Sequence, residues 1–257
     1  MRRAAAFSRG SRPTCPPPVP PVGRHATGIA GYVRACVFDA YGTVFDFASA
    51  VTRCNEVPEA QRSALIALWR DRQLQYTWLR SLQGRYVDFW QVTGDALDFA
   101  LNMLGLANPH CRRQLMDLYL RLDAFPEVPE VLRALRKAGC TTALLSNGTP
   151  AMLQAAILHA GLDGLFDAVF SADAVRVYKT HPRVYAHALA QLGLQAGQVV
   201  FLSSNAWDAY AASDFGMHVI WCNRYAQRRE HLPGAPDHEI RSLLGLPSLL
   251  LAQQSEI

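Results

Sequence analysis

Lysine is nearly missing from this 257-residue chain: Lys137 and Lys179 stand against 23 arginines. Long apolar runs are missing too. None approaches the roughly 20 residues needed to cross a bilayer, so no membrane partner is expected. The six cysteines (Cys15, Cys36, Cys54, Cys111, Cys140, Cys222) include no Cys-x-x-Cys pair. In a chain of this length that pattern points to free thiols in a reducing compartment, the cytoplasm, rather than to a disulfide framework. Acidic residues are absent from positions 1–30, which hold five arginines (Arg2, Arg3, Arg9, Arg12, Arg24) and six prolines. The net charge is +4, so once those five positive charges are set aside the rest of the chain carries −1. A near-neutral body lacks the basic footprint of a nucleic-acid binder. The composition of 1–30 predicts a disordered, dispensable tail. No apolar stretch follows Arg2-Arg3, so a secretory signal is not expected.

Half of the residues are hydrophobic and 18% are charged, enough for a sizeable core. Val33–Phe38 is a short apolar run that ends in Asp39. Similar runs follow at Cys140–Leu145, Val199–Leu202 and His218–Cys222, with a shorter one at Ala168–Ser171. Helical periodicity lies between them, over Val128–Lys137, Ala151–Ala160, Arg183–Leu192 and from Asp208 onward. Strands alternating with helices predict an α/β fold with a doubly wound parallel sheet, a Rossmann-like core. Residues 46–124 break the rhythm. Ala60–Leu82, Val87–Leu104 and Cys111–Leu122 carry apolar residues at helical spacing. The expected organisation is a core of 31–45 and 125–257 with a helical subdomain, 46–124, inserted after the first strand.

Ligands of open α/β sheets bind beyond the carboxyl ends of the strands. Here those ends carry Asp39 with Thr43 nearby, then Ser146-Asn147-Gly148, then a loop with Lys179, then Ser203-Ser-Asn205-Ala-Trp207-Asp208. Singly, each has a plain structural reading: an Asp or a Ser-Asn-Gly after a strand is a good turn or cap. Their succession at one end of the sheet points to a site. In a chain so biased to arginine, Lys179 suggests a place that needs a compact ammonium, near Asp39.

These four stretches resemble the motifs of the haloacid dehalogenase superfamily, and the inserted helices resemble its cap. Leu68–Arg80, Arg85–Phe89 and Ser203–Asp208 resemble the L-2-haloacid dehalogenases in particular, and the likeness runs from about residue 33 to near 247. It implies a hydrolase acting on carbon–halide bonds of small L-2-haloacids, with inversion at C2, and a homodimer formed through the cap, where Trp78 and Leu79 are candidates for exposed contacts. Asp39 would be the nucleophile. Arg70 and Asn147 would receive the halide. Asp208 would orient Lys179 and, with Asn205, the hydrolytic water. Thr43, Ser146 and Ser203 would hydrogen-bond the nucleophile or its ester, and Tyr185 matches a tyrosine placed near the site. Backbone groups at Ala40-Tyr41 and Ser146-Asn147 would hold the substrate carboxylate. Tyr41, Leu74, Phe89 and Trp207 would wall the space around C2, although an aromatic residue such as Phe89 at helical spacing is also ordinary core.

A Mg²⁺-dependent phosphohydrolase of the same superfamily is the alternative. Such enzymes place a second Asp two residues after the nucleophile, to protonate an alkoxide that cannot leave unaided. That position is Tyr41. They also hold Mg²⁺ with paired acids on the later strand, where this chain has the single Asp208. Halide is a weak base and leaves without a proton. No metal and no cofactor are therefore expected. A fold retained only for binding would have lost some of Asp39, Arg70, Asn147, Lys179 and Asp208. The chain departs from the family at Thr180, where proline usually follows the lysine, and at Asp71, where glutamine usually follows the cap arginine. Asp71 could weaken halide capture only if it shared a face with Arg70, and neighbouring helical side chains diverge.

Overall fold

A computed structural model describes residues 33–251. The expectations for residues 1–30 lie outside the described residues. Six parallel strands form one sheet in the order β3-β2-β1-β4-β5-β6. They are β1 (Ala35–Asp39), β2 (Thr141–Ser146), β3 (Ala168–Ser171), β4 (Val199–Ser203), β5 (His218–Cys222) and β6 (His238–Ile240). β1 and β4 are buried at every position, as strands covered on both faces must be, and they read as unbroken apolar runs for that reason. The α/β architecture and the five longer strands match the expectation within two residues at each end. β6 was not expected: its three residues include His238 and Glu239, and too short a polar run carries no strand signal.

The chain runs from β1 outward to β2 and β3, then returns to the other side of β1 for β4 and β5. β1 therefore lies at the point where the strand order reverses, and a crevice opens there beyond the strand ends. Register brings the chemistry together: Asp39 pairs with Leu145, one residue before Ser146, and Phe38 pairs with Leu202, one residue before Ser203. The helices α5 (Val128–Lys137), α6 (Pro150–His159), α7 (Pro182–Leu192), α8 (Ala206–Asp214) and the terminal α9 (Leu246–Leu251) accompany the strands. Proline at the first position of α6 and α7 costs no backbone hydrogen bond and starts each helix with its dihedral already set.

Between β1 and α5 lie α1 (Ala48–Thr52), α2 (Glu59–Leu82), α3 (Phe89–Met103) and α4 (Pro109–Tyr119). No strand interrupts them among the described residues. α2 buries Leu65, Trp69, Gln73 and Thr77, one residue per turn, and so presents a single stripe to α3. α3 answers with Phe89, Val92, Thr93, Ala96, Leu97, Ala100 and Leu101, and is fixed at its start by Asp88, whose carboxylate accepts the Gln91 N–H at 2.8 Å. Burying a side chain of the size of Phe89 or Leu97 contributes about 1.5–3 kcal/mol. The stripe on α2 is half polar: Gln73 bonds Thr93 of α3 and Tyr119 of α4, and Thr77 donates to the Leu74 carbonyl of its own helix.

Candidate active site

Asp39 closes β1 and is 5% exposed. Its carboxylate collects four donors. Oδ1 accepts from Lys179 Nζ at 3.0 Å, and Oδ2 accepts from Asn205 Nδ2 at 2.7 Å, Thr43 Oγ1 at 2.9 Å and Ser203 Oγ at 3.3 Å. The turn behind it is tight. Gly42, with a φ of +91°, returns its N–H to the Phe45 carbonyl, a left-handed conformation that a side chain would strain. Thr43 is held as well as holding: Ser204 N–H donates to Thr43 Oγ1 at 2.7 Å, so the hydroxyl hydrogen goes to Asp39. On its other side the Thr43 carbonyl accepts from Arg224, a buried guanidinium paired with Glu127.

Lys179 is 1% exposed and lies between two carboxylates, 3.0 Å from Asp39 and 2.8 Å from Asp208. Burial works against its charge, but Asp208 and Asp39 outweigh that and lift its pKa above the ordinary lysine value. One ammonium cannot satisfy two buried carboxylates equally. The Asp208 pKa is raised to about 6: burial lifts it most, Lys179 pulls it down and the charge of Asp39 pushes it up. Tyr185 OH donates to the free oxygen of Asp208 at 2.7 Å, and burial keeps that phenol neutral by raising its pKa well above the usual value. The Lys179 N–H donates to Asn147 Oδ1 at 2.9 Å, which ties the β2 motif to the lysine loop.

The helical segment supplies the opposite wall. Arg70 reaches down from α2, and its Nη2 donates to the Tyr41 carbonyl and to Asn205 Oδ1, each at 3.3 Å. Its guanidinium lies 5.6 Å from the centroid of the Phe47 ring. Asn205 therefore touches both sides: its amide nitrogen donates to Asp39 and to the Tyr41 carbonyl, and its oxygen accepts from Arg70. Tyr41 is buried. Its ring stacks on Phe89 at 5.7 Å and tilts against Tyr119 at 5.3 Å. A Cβ at position 148 would fall 2.6 Å from the Tyr41 hydroxyl, so only glycine admits this ring. Burial also raises the Tyr41 pKa well above the usual value, which leaves a neutral phenol where a phosphatase would carry its acid.

Most of the expected set therefore converges. Asp39, Thr43, Lys179, Tyr185, Ser203, Asn205 and Asp208 form one hydrogen-bonded cluster. Arg70, Tyr41 and Asn147 adjoin it, and Phe89 packs on Tyr41. Two expectations are corrected, those for Ser146 and Trp78. Ser146 Oγ accepts the Gly148 N–H at 3.0 Å, a turn contact that follows from the two-residue spacing, so of the three hydroxyls expected on Asp39 only Thr43 and Ser203 reach it. Ala40 is buried in the turn, where its carbonyl accepts from the N–H groups of Thr43, Val44 and Phe45. Trp78, expected to be an exposed contact, is half-buried, its indole edge-on to Trp207 at 5.6 Å. Leu74 lies half-buried one turn beyond Arg70. Asp71 points away from the site as expected, accepting from Gln75 Nε2 at 2.6 Å on an exposed face. Sequence reasoning missed Gln73, Phe47, Tyr119 and Arg224. Gln73 alone had a signal, its place one turn after Arg70.

A family model of haloacid dehalogenase-like hydrolases matches residues 33–216. The chain belongs to that family. It is 46% identical over 219 residues to an (S)-2-haloacid dehalogenase of Pseudomonas sp. strain YL, an alignment covering 85% of this chain and 94% of the relative. Among solved structures, a dehalogenase with an intermediate complex superposes with a TM-score of 0.83 at 43% identity, covering 85% of this chain and 97% of that one. The L-2-haloacid dehalogenase of Xanthobacter autotrophicus with chloropropionic acid covalently bound superposes with a TM-score of 0.80 at 37% identity, covering 85% and 98%.

Proposed function

We propose that this protein hydrolyses the carbon–halogen bond of small L-2-haloacids and releases 2-hydroxyacids, with Asp39 as a covalent nucleophile. The observation that carries the reading is a carboxylate at a strand end, held by four donors, one of which, Asn205, also accepts from the Arg70 guanidinium. An Asp39 oxygen attacks C2 from the side opposite the halogen. The C–O bond forms as the C–X bond breaks, halide departs with the electron pair, and C2 inverts once. Arg70, with Asn147, receives the halide. Water then adds to the carbonyl carbon of the Asp39 ester, the 2-hydroxyacid leaves and the carboxylate is restored. Asp208 takes the water proton and Asn205 orients the water. Backbone groups at Ala40-Tyr41 and Ser146-Asn147 hold the substrate carboxylate, and Tyr41, Leu74, Phe89 and Trp207 enclose C2.

The reaction proceeds without a metal in this reading. Lys179 Nζ supplies the cation between Asp39 and Asp208, and Tyr41 stands where a phosphohydrolase needs an acid. The Mg²⁺-dependent alternative is not favoured. The helical segment 46–124 acts as the cap over a core formed by 31–45 and 125–257. Two copies associate through that cap, whose α2 exposes Leu79 and Leu82. Cytoplasmic residence rests on the free cysteines; no helix among the described residues is long and apolar enough to cross a membrane. The test is halide release from the two enantiomers of 2-chloropropionate in excess EDTA. Release from the L-form alone, unchanged by added Mg²⁺, is expected. Loss in EDTA with rescue by Mg²⁺ would overturn the metal-free route.

A further inference from the structure

We infer that Gln73 is a positioning residue for the departing halide: its side-chain amide fixes the Arg70 guanidinium and so sets how strongly the enzyme favours one halogen over another. The inference rests on the dehalogenase reading and on Arg70 as the halide's partner.

Gln73 is fully buried on α2, yet it is an amide, and it lies one helical turn after Arg70 on the same face. Each of its polar atoms has a partner. Oε1 accepts from Arg70 Nη1 at 2.9 Å, while Nε2 donates to Thr93 Oγ1 at 2.8 Å and to Tyr119 OH at 3.0 Å. The orientation of the amide is forced from both ends. Thr93 Oγ1 spends its one hydrogen on the Phe89 carbonyl at 2.6 Å, so toward Gln73 it can only accept. Arg70 has only donors to offer. A flipped amide would face donor to donor at Arg70 and would lose its bond to Thr93. The amide is thus locked in the one orientation that pins the guanidinium.

What it pins matters because Arg70 Nη2 touches Asn205 Oδ1, and Asn205 Nδ2 touches Asp39 Oδ2. A continuous line of hydrogen bonds runs from Thr93 on α3 through Gln73, Arg70 and Asn205 to Asp39. The guanidinium is half-buried on a long, flexible side chain, and Phe47 contacts it through a ring that does not dictate rotation about the side-chain axis. Nη2 makes two longer bonds, to the Tyr41 carbonyl and to Asn205 Oδ1 at 3.3 Å each, and the carbonyl of Gln73 adds the shorter one, 2.9 Å from Nη1, which fixes the other nitrogen of the fork. A preorganised cation stabilises charge as it develops without having to reorganise, and chloride needs that help more than bromide, which leaves more readily. Gln73 therefore acts on the poorer leaving group most.

The experiment is single-turnover halide release from L-2-chloropropionate and L-2-bromopropionate with enzyme in excess, together with inhibition by added chloride, for the full-length wild type, Gln73→Leu and Gln73→Glu. Gln73→Leu keeps the volume and removes the pin. Chloride release is expected to slow on the order of 10-fold, bromide release clearly less, and inhibition by chloride to weaken. Gln73→Glu retains an acceptor for Arg70 but pairs its charge, so it too should weaken chloride inhibition, and it keeps the test open if Gln73→Leu does not fold. A merely structural role would lower the melting temperature and slow both halides equally. That result, or a wild-type chloride-to-bromide ratio in both variants, overturns the inference. A wild type that releases no halide from either substrate overturns the dehalogenase reading, and this inference with it.

Discussion

The two walls of the crevice are built by opposite means. The sheet side is ionic: Asp39, Lys179 and Asp208 are each 5% exposed or less and within hydrogen-bond distance along one line. The helical side is neutral behind Arg70: Gln73, Thr93, Tyr119 and Trp69 satisfy one another by hydrogen bonds and ring contacts. Buried charges are stable only while every partner is present, because a single removal leaves an uncompensated ion. A buried amide left unpaired costs less, about 1–3 kcal/mol. The comparison teaches where stability and catalysis are coupled. On the sheet side one substitution should damage both. On the helical side it should damage chemistry and leave the fold nearly intact.

The hardest way to break that contrast is Lys179→Met. It leaves two buried carboxylates facing each other, and we expect a loss of roughly 3–5 kcal/mol in unfolding free energy together with the loss of turnover. The sign with pH follows. Burial already raises the Asp208 pKa and Lys179 holds it down, so without the ammonium it rises further above its unfolded value, the folded state binds more protons, and the variant should lose further stability as pH rises from about 5 to about 8. Thermal melts at the two pH values check this. A variant equally stable at both would mean that the lysine does not balance these acids.

Arg70→Lys probes the other wall with a smaller expected effect. The charge survives but the planar fork is lost, along with the bonds to Gln73 and Asn205. We expect halide release to slow on the order of 10²-fold with the melting temperature little changed. Near wild-type turnover for Arg70→Ala would reduce Arg70 to a surface helix residue and remove the functional half of the comparison.

The two walls also differed in how legible they were. The sheet side was open to sequence reasoning because its groups lie at fixed distances from apolar runs: Asp39 ends β1, Ser203 ends β4, and Asp208 falls in the first turn of the helix that follows. Lys179 stood out because lysine is so scarce. Ser146 was over-read, since a strand-end serine closes its own turn as readily as it reaches across the sheet. On the helical side, periodicity located α2, α3 and α4 but could not tell which polar residue on a buried stripe faces a partner. Gln73 and Thr77 occupy the same stripe, yet only a tertiary contact with α3 makes one of them pin Arg70. Trp78 was misplaced for the same reason: its neighbour Trp207 lies more than a hundred residues away in the chain. β6 left no trace because edge pairing of three residues needs no apolar run.

The smallest effect sharpens the ionic side alone. Asp208 has its pKa raised to about 6, chiefly by burial; its ionised form pairs with Lys179, and in the proposed mechanism that form also takes the proton from water. The rate of ester hydrolysis should therefore fall as pH drops through about 6, a limb set by one proton. Tyr185 tunes that limb. Its hydroxyl donates to Asp208 Oδ1 and so favours the ionised form. Tyr185→Phe keeps the ring against Phe201 and removes only this bond, so the Asp208 pKa should rise and the acid limb should move to higher pH. The rate on the plateau above it should change little, because Lys179 still pairs with Asp208 through Oδ2. A pH–rate profile of the deacylation step for wild type and Tyr185→Phe decides the point. An unmoved limb would assign it to another group, and a limb moved to lower pH would contradict the direction of the hydrogen bond. Either result would leave Tyr185 as packing beneath the ionic wall rather than part of its charge balance.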